Sequence, residues 1–142
     1  MERNMRIVVI DGQGGGIGKS LVEQLKKKMP KEEVLAIGVH SIATSNMLKA
    51  GADFGVTGEN AILYNCRQAD VIAGPIGITV ENGLMGEITK EMATAITSSE
   101  AEKVLIPVAR CSVKVAGVQE MSVGKYVEQA VEMIGNILEE RQ

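Results

Sequence analysis

Five of the seven residues from Gly12 to Gly18 are glycine, and Lys19 and Ser20 follow directly. No other segment has residue types and spacing that point so directly to ligand chemistry. Glycines let backbone amides come close to a bound group and adopt positive φ where side chains would clash. A helix opening behind such a loop turns its free N–H groups toward the same place, which makes an anion site by geometry. Tight strand-to-helix packing also uses glycine, but each one costs about 0.5–1 kcal/mol of unfolded-state entropy. Five in seven exceed what packing alone requires, and the excess points to a phosphate-bearing ligand touching Gly12, Gln13, Gly14, Gly15, Gly16, Ile17, Gly18, Lys19 and Ser20.

Other candidates are single residues. Asp11, just before the loop, fits a turn-capping role better than a ligand role, because aspartate readily hydrogen-bonds the backbone that follows it. His40 is the only histidine and stands with Ser41 at the end of a strand, where either residue can face a ligand. A lone histidine there is more often a surface or packing residue than a general base. Gly74 ends another apolar run at the corresponding point, and Pro75 and Gly77 break it. Cys111 sits beside Arg110, but with no CxxC spacing and no assignable base, burial is the expected role. Two cysteines and one histidine, widely spaced, make no structural zinc site, and no metal is expected.

These residues need a scaffold with strand ends along one edge. Arg6 to Asp11 is a β-branched apolar run leading into the glycine turn, the mark of a buried parallel strand. Leu21, Val22, Leu25 and Met29 then share a helical face, with Lys26 to Lys28 in the last turn and Pro30 as the stop. Val34 to Val39 is a second strand and completes a βαβ unit, which is right-handed almost without exception. Further along, Ala43 to Ala50 reads as a helix closed by Gly51, Asp53 to Thr57 as a weak strand, and Glu59 to Gln68 as helix or strand. Asp70 to Gly74 is a strand. Thr89 caps a helix that runs to about Ser99. Lys103 to Val108 is a strand, Ser112 to Gly117 a possible edge strand, and a last amphipathic helix opens at Ser122. Alternating strands and helices predict a Rossmann-like α/β domain over residues 1–142, with four to six mostly parallel strands and helices on both faces. Ligands of such sheets bind beyond the carboxyl ends of the strands at the switch point.

Composition narrows the partners. The 142 residues carry 15 Lys plus Arg against 18 Asp plus Glu and only 3 aromatics, Phe54, Tyr64 and Tyr126. A net charge of −3 gives no basic field for nucleic acid or anionic lipid, and so few aromatics argue against base stacking. The N-terminal apolar run is too short for a signal peptide or a membrane span, so a cytoplasmic protein with reduced thiols is expected.

The loop can be matched against known grammars. G-x-G-x-x-G fails from Gly12 and from Gly14, because Ile17 and Lys19 occupy the third glycine position. A P-loop is matched by Gly18-Lys19-Ser20 but has Gln13 where its first glycine belongs. The fragment Gly15 to Ser20 resembles the deviant P-loop of plasmid-partitioning and division-site ATPases. Gly14 replaces their signature lysine, and no later apolar strand ends in an acidic residue to hold magnesium. Gly12-x-x-x-Gly16-Ile17-Gly18 resembles the short-chain dehydrogenase/reductase motif residue for residue, which implies an NAD(P)-like cofactor. That family's Tyr-x-x-x-Lys is absent, since Tyr64 is followed by Gln68 and Tyr126 by Ala130. Its acidic residue at the end of the second strand is also missing, with Val39, His40 and Ser41 there. This leaves a 2′-phosphate, another nucleotide or no dinucleotide. As a whole, the chain resembles a bacterial family of small single-domain proteins of unknown function. The likeness lies in the Gly12 to Ser20 loop, Ser41 to Ser45, Thr57 to Asn60, Ala73 to Ile78 and Leu105 to Val108, and it implies a Rossmann-like fold. A nucleoside triphosphatase and a non-catalytic nucleotide sensor or assembly subunit are the alternative functions. A chain this short leaves much of a dinucleotide uncovered, so a homodimer meeting at Leu84-Met85 and the last helix is expected, with methionines filling the core or the interface.

Overall fold

The computed structural model describes residues 5–108 and 112–141. Five strands, β1 (Ile7–Asp11), β2 (Val34–Gly38), β3 (Phe54–Thr57), β4 (Val71–Pro75) and β5 (Glu102–Ile106), form one sheet in the order β3-β2-β1-β4-β5. Every pairing is parallel, with Ile7 beside Val34 on one side and Val71 on the other. Parallel pairing requires crossovers, and helices supply most of them: α1 (Gly16–Lys28), α2 (Ser41–Lys49), α3 (Glu59–Cys66), a 3-10 turn at Ile76–Thr79, a single turn α4 (Gly83–Gly86) and α5 (Lys90–Ser98). Helix α6 (Val123–Glu140) follows β5.

Successive strand residues point to opposite faces, so Ile7 and Val9 pack against α1, α2 and α6, and Val8 and Ile10 pack against α3 and α5. Burial on both faces explains why β1 is a continuous apolar run and does not alternate. The arrangement is the Rossmann-like open sheet expected from the strand and helix order. The segment Glu59 to Gln68, which read as helix or strand, resolves as helix over Glu59–Cys66, and the Thr89 and Ser122 hydroxyls cap α5 and α6 by accepting the N–H of Met92 and Lys125. One expectation fails. Residues 112–117 form no strand, because Val113 and Val115 are both exposed and have no sheet face on which to bury an alternating pattern. Met47 and Met92 are core residues, whereas Met85 and Met133 are exposed.

Candidate functional site

Strand order reverses between β1 and β4, because the connection from β1 runs to β2 on one side and the chain later returns to β4 on the other. Connections leave that point in opposite directions and open a crevice at the strands' carboxyl ends. A cavity of about 520 Å³ lies there. Asp11, Gly12, Gln13, Gly14, Gly16 and Ile17 line it from the first loop, Pro75 and Gly77 from the end of β4, and Leu84, Val108 and Val123 from later segments. Its size falls within the range of small-molecule pockets.

Asp11 builds the loop. Its Oδ1 accepts the Gly12 N–H at 2.8 Å and its Oδ2 accepts the Gly18 N–H at 2.7 Å, so one buried carboxylate joins the end of β1 to the first turn of α1. Burial pushes its pKa above the ordinary value, while the Gly18 and Gly12 amides pull it down and the nearby Glu87 carboxylate adds to the upward push. The turn-capping role expected from sequence is therefore the one it plays.

The five loop glycines divide by what surrounds them. A Cβ on Gly12 would lie 2.5 Å from Glu87 Oε1, one on Gly18 would press on Asp11 and Met47, and Gly15, at φ +70°, has the Ala43 backbone 3.0 Å away. Packing and backbone conformation account for these three. Gly14 and Gly16 are different, since a Cβ on either would meet nothing within 4 Å. Neither has a φ in the left-handed region. Their N–H groups also have no acceptor among the described residues, whereas Gly15 N–H bonds Gly12 C=O at 2.8 Å and Gln13 N–H bonds Glu87 Oε1 at 2.7 Å. Asn46, on α2, holds the Gly14 carbonyl at 2.6 Å and fixes the direction of that peptide.

The remaining predicted residues surround this center without lining the cavity. Lys19 is exposed and Ser20 half-buried on α1, and Gly74 lies within β4, where a Cβ would collide with the Ile10 carbonyl. His40 and Ser41 open α2 beside the loop. His40 Nε2 lies 3.1 Å from Glu87 Oε2, so Glu87 bridges the first loop and the end of β2. The sequence carried no signal for Glu87, whose importance comes only from the fold returning the chain past β4 to the glycine loop. Arg110 and Cys111 lie outside the described residues. Among the described residues, no group of three or more His, Cys, Asp and Glu side chains is placed to hold a metal, and no helix is long and apolar enough to cross a membrane.

The segment carrying Leu84 and Glu87 is unusual. Asn82, Leu84 and Met85 have φ of +67°, +55° and +58°, and Gly86 has +91°. Consecutive left-handed non-glycine residues are costly for L-amino acids. Gly83 fits against the Gly77 backbone, where a side chain would collide, and this packing brings Leu84 to the cavity wall.

The chain belongs to the family described as Domain of unknown function (DUF3842), which matches residues 6–139. No curated protein matches it significantly. Among solved structures it is similar to a dodecameric FMN-dependent UbiX-like decarboxylase from Escherichia coli O157:H7, at 16% identity and a TM-score of 0.47, covering 92% of this chain and 76% of that one. It is also similar to an arsenate reductase in the phosphate-binding state, at 17% identity and a TM-score of 0.45, covering 97% and 99%.

Proposed function

We propose that this protein binds a phosphate-bearing small molecule, a nucleotide or a dinucleotide of the NAD(P) kind, with the phosphate over Gly14 and Gly16. The observation that carries the reading is the pair of glycines that packing does not require, both with free amides, both lining a cavity at the switch point. The first turn of α1 opens at Gly16 and adds its dipole to the same spot. In this reading Gly12, Gln13, Gly14, Gly16, Ile17 and Pro75 contact the ligand. Gly15, Gly18 and Gly74 shape its bed, and Lys19, Ser20, His40 and Ser41 stand around it. The alternative of a P-loop triphosphatase is weaker, because its lysine must cross the loop to the phosphates and Lys19 is exposed outside the cavity.

Thermal shift with AMP, NAD, NADP, FAD, ATP and GTP, with and without magnesium, tests the reading. A ligand at a hundredfold excess over its Kd stabilises by about 2.7 kcal/mol. Gly16→Val should fold and lose that shift, because a branched side chain fills the open space over the amides. A Gly16→Val protein that binds as tightly as wild type would sink the proposal. A homodimer is part of the same reading: exposed Met85 adjoins Leu84, Leu84 and Val123 wall the cavity, and a second subunit docked there would close it. Light scattering should give twice 15.1 kDa, and a constant mass near 15.1 kDa across a dilution series would refute it.

A further inference from the structure

The amides of the glycine loop can be assigned one by one. Asp11 takes those of Gly12 and Gly18 and also faces that of Ile17, the Gly12 carbonyl takes that of Gly15, and Glu87 Oε1 takes that of Gln13. Those of Gly14 and Gly16 remain. Two neighbouring donors suit one anionic group. A pyrophosphate laid along the loop would need the next donor as well, and the next donor is held by a carboxylate.

Glu87 is firmly seated in that place. Its Oε1 occupies the volume that a Cβ on Gly12 would need, and its Oε2 is held by His40 Nε2 at 3.1 Å. Leu84 and Val39 crowd the same glycine, at 3.0 and 3.3 Å from that Cβ position. The carboxylate therefore acts toward the loop as a resident anion, and a second phosphoryl group arriving beside it meets like charge and an occupied donor.

We propose that Glu87 is a specificity residue of this site, restricting its ligand to a single phosphoryl group, a phosphomonoester, and discriminating against pyrophosphate-bearing nucleotides. The inference rests on the phosphate reading above and, within it, selects a monophosphate over the dinucleotide, so pyrophosphate-bearing NAD, NADP, FAD, ATP and GTP should bind more weakly than AMP. Asp11 takes no direct part in the discrimination, because its oxygens are turned to Gly12 and Gly18.

Calorimetric titration of the full chain with pairs of compounds that differ by one phosphoryl group tests this. AMP against ADP and inorganic phosphate against pyrophosphate give the ratio, and ribose 5-phosphate separates a nucleotide ligand from a sugar phosphate. Wild type should prefer the monophosphate at least tenfold. Glu87→Gln, which keeps the size and an acceptor for Gln13 but removes the charge, should shrink that ratio at least fivefold. Glu87→Asp retracts the carboxylate from Gln13 and should shrink it less. Circular dichroism and melting of each variant establish folding, and the wild-type ratio stands whether or not the variants fold. Equal wild-type affinity for mono- and diphosphates, or a ratio unchanged in folded Glu87→Gln, overturns the role of Glu87 and leaves the phosphate reading standing. Failure of every phosphate compound to bind wild type overturns both.

Discussion

Met85 offers a direct measure of the strain beside the site. Its backbone lies at φ +58°, ψ +37°, and the residue is 83% exposed, so replacing it with glycine removes strain while sacrificing almost no packing within the subunit. The comparison is made at a dilution where light scattering shows monomer. A non-glycine residue in this conformation costs about 1–2 kcal/mol. Glycine forfeits about 0.5–1 kcal/mol in unfolded-state entropy. The difference predicts that Met85→Gly stabilises the protein by about 0.5–1 kcal/mol. Unfolding entropy near 2.1 cal/mol/K per residue converts this to a Tm rise of about 2–3 °C for a chain of this length. Met85→Ala is the control, since alanine keeps its Cβ and with it the strain, and it should melt close to wild type. Urea unfolding followed by circular dichroism, with m-values compared across the three proteins, gives the free energies. Loss of stability in Met85→Gly, as for glycine placed in a right-handed helix, would refute the strain argument, and so would equal stability of the glycine and alanine variants.

Two further outcomes test the electrostatics. Asp53 accepts from Lys26 Nζ at 2.9 Å and from the Val34 N–H at 2.8 Å, and the Lys26 ammonium holds its carboxyl below the ordinary aspartate value. A depressed folded-state pKa gives stability that is present above the unfolded value and lost as pH falls through the folded one. Asp53→Asn should therefore cost about 1 kcal/mol at pH 7, a charge-assisted bond discounted for partial exposure. The gap from wild type should close below about pH 4, and a pH-independent gap in melts would contradict the ion pair. Cys66, the last residue of α3, is buried in the cluster that includes α5, and burial pushes its thiol up to about 11. In a Cys111→Ser background, a disulfide reagent at pH 8 should react with native protein only at the global unfolding rate. Rapid labelling would show that the site opens locally.

The first βαβ was legible because several signals agree there. A β-branched run, a glycine turn, a helical apolar stripe and a lysine-rich last turn all require the same strand–loop–helix unit. Thr89 was legible as a cap, and Ser122 as the start of the last helix, because their hydroxyls accept amide hydrogens. Residues 112–117 misled because alternation implies a strand only where a sheet face exists to bury one side, and here both valines face outward. The division of the glycines could not be read, since Gly12, Gly15 and Gly18 owe their identity to Glu87, Ala43 and Asp11 or Met47, contacts that exist only after folding. Glu87 and the left-handed turn were hidden for a related reason. Nothing in Gly-Leu-Met-Gly-Glu marks positive φ at leucine and methionine, which are held there by the surrounding fold.

At the opposite end of the sheet from the cavity, the buried Asp70 carboxylate accepts the Arg6 N–H at 2.8 Å and meets the Arg141 guanidinium at 3.4 Å. The lead into β1 and the exit from α6 are thus fastened to one side chain, across the sheet's full length from Gly14 and Gly16. An affinity handle or surface tether added before Arg6 or after Arg141 leaves the loop facing free solution, so immobilised protein can be screened against small-molecule libraries. The same closeness lets a short linker join Arg6 to Arg141, with the chain reopened between Val113 and Gly117, while β1, the glycine loop and α1 stay continuous.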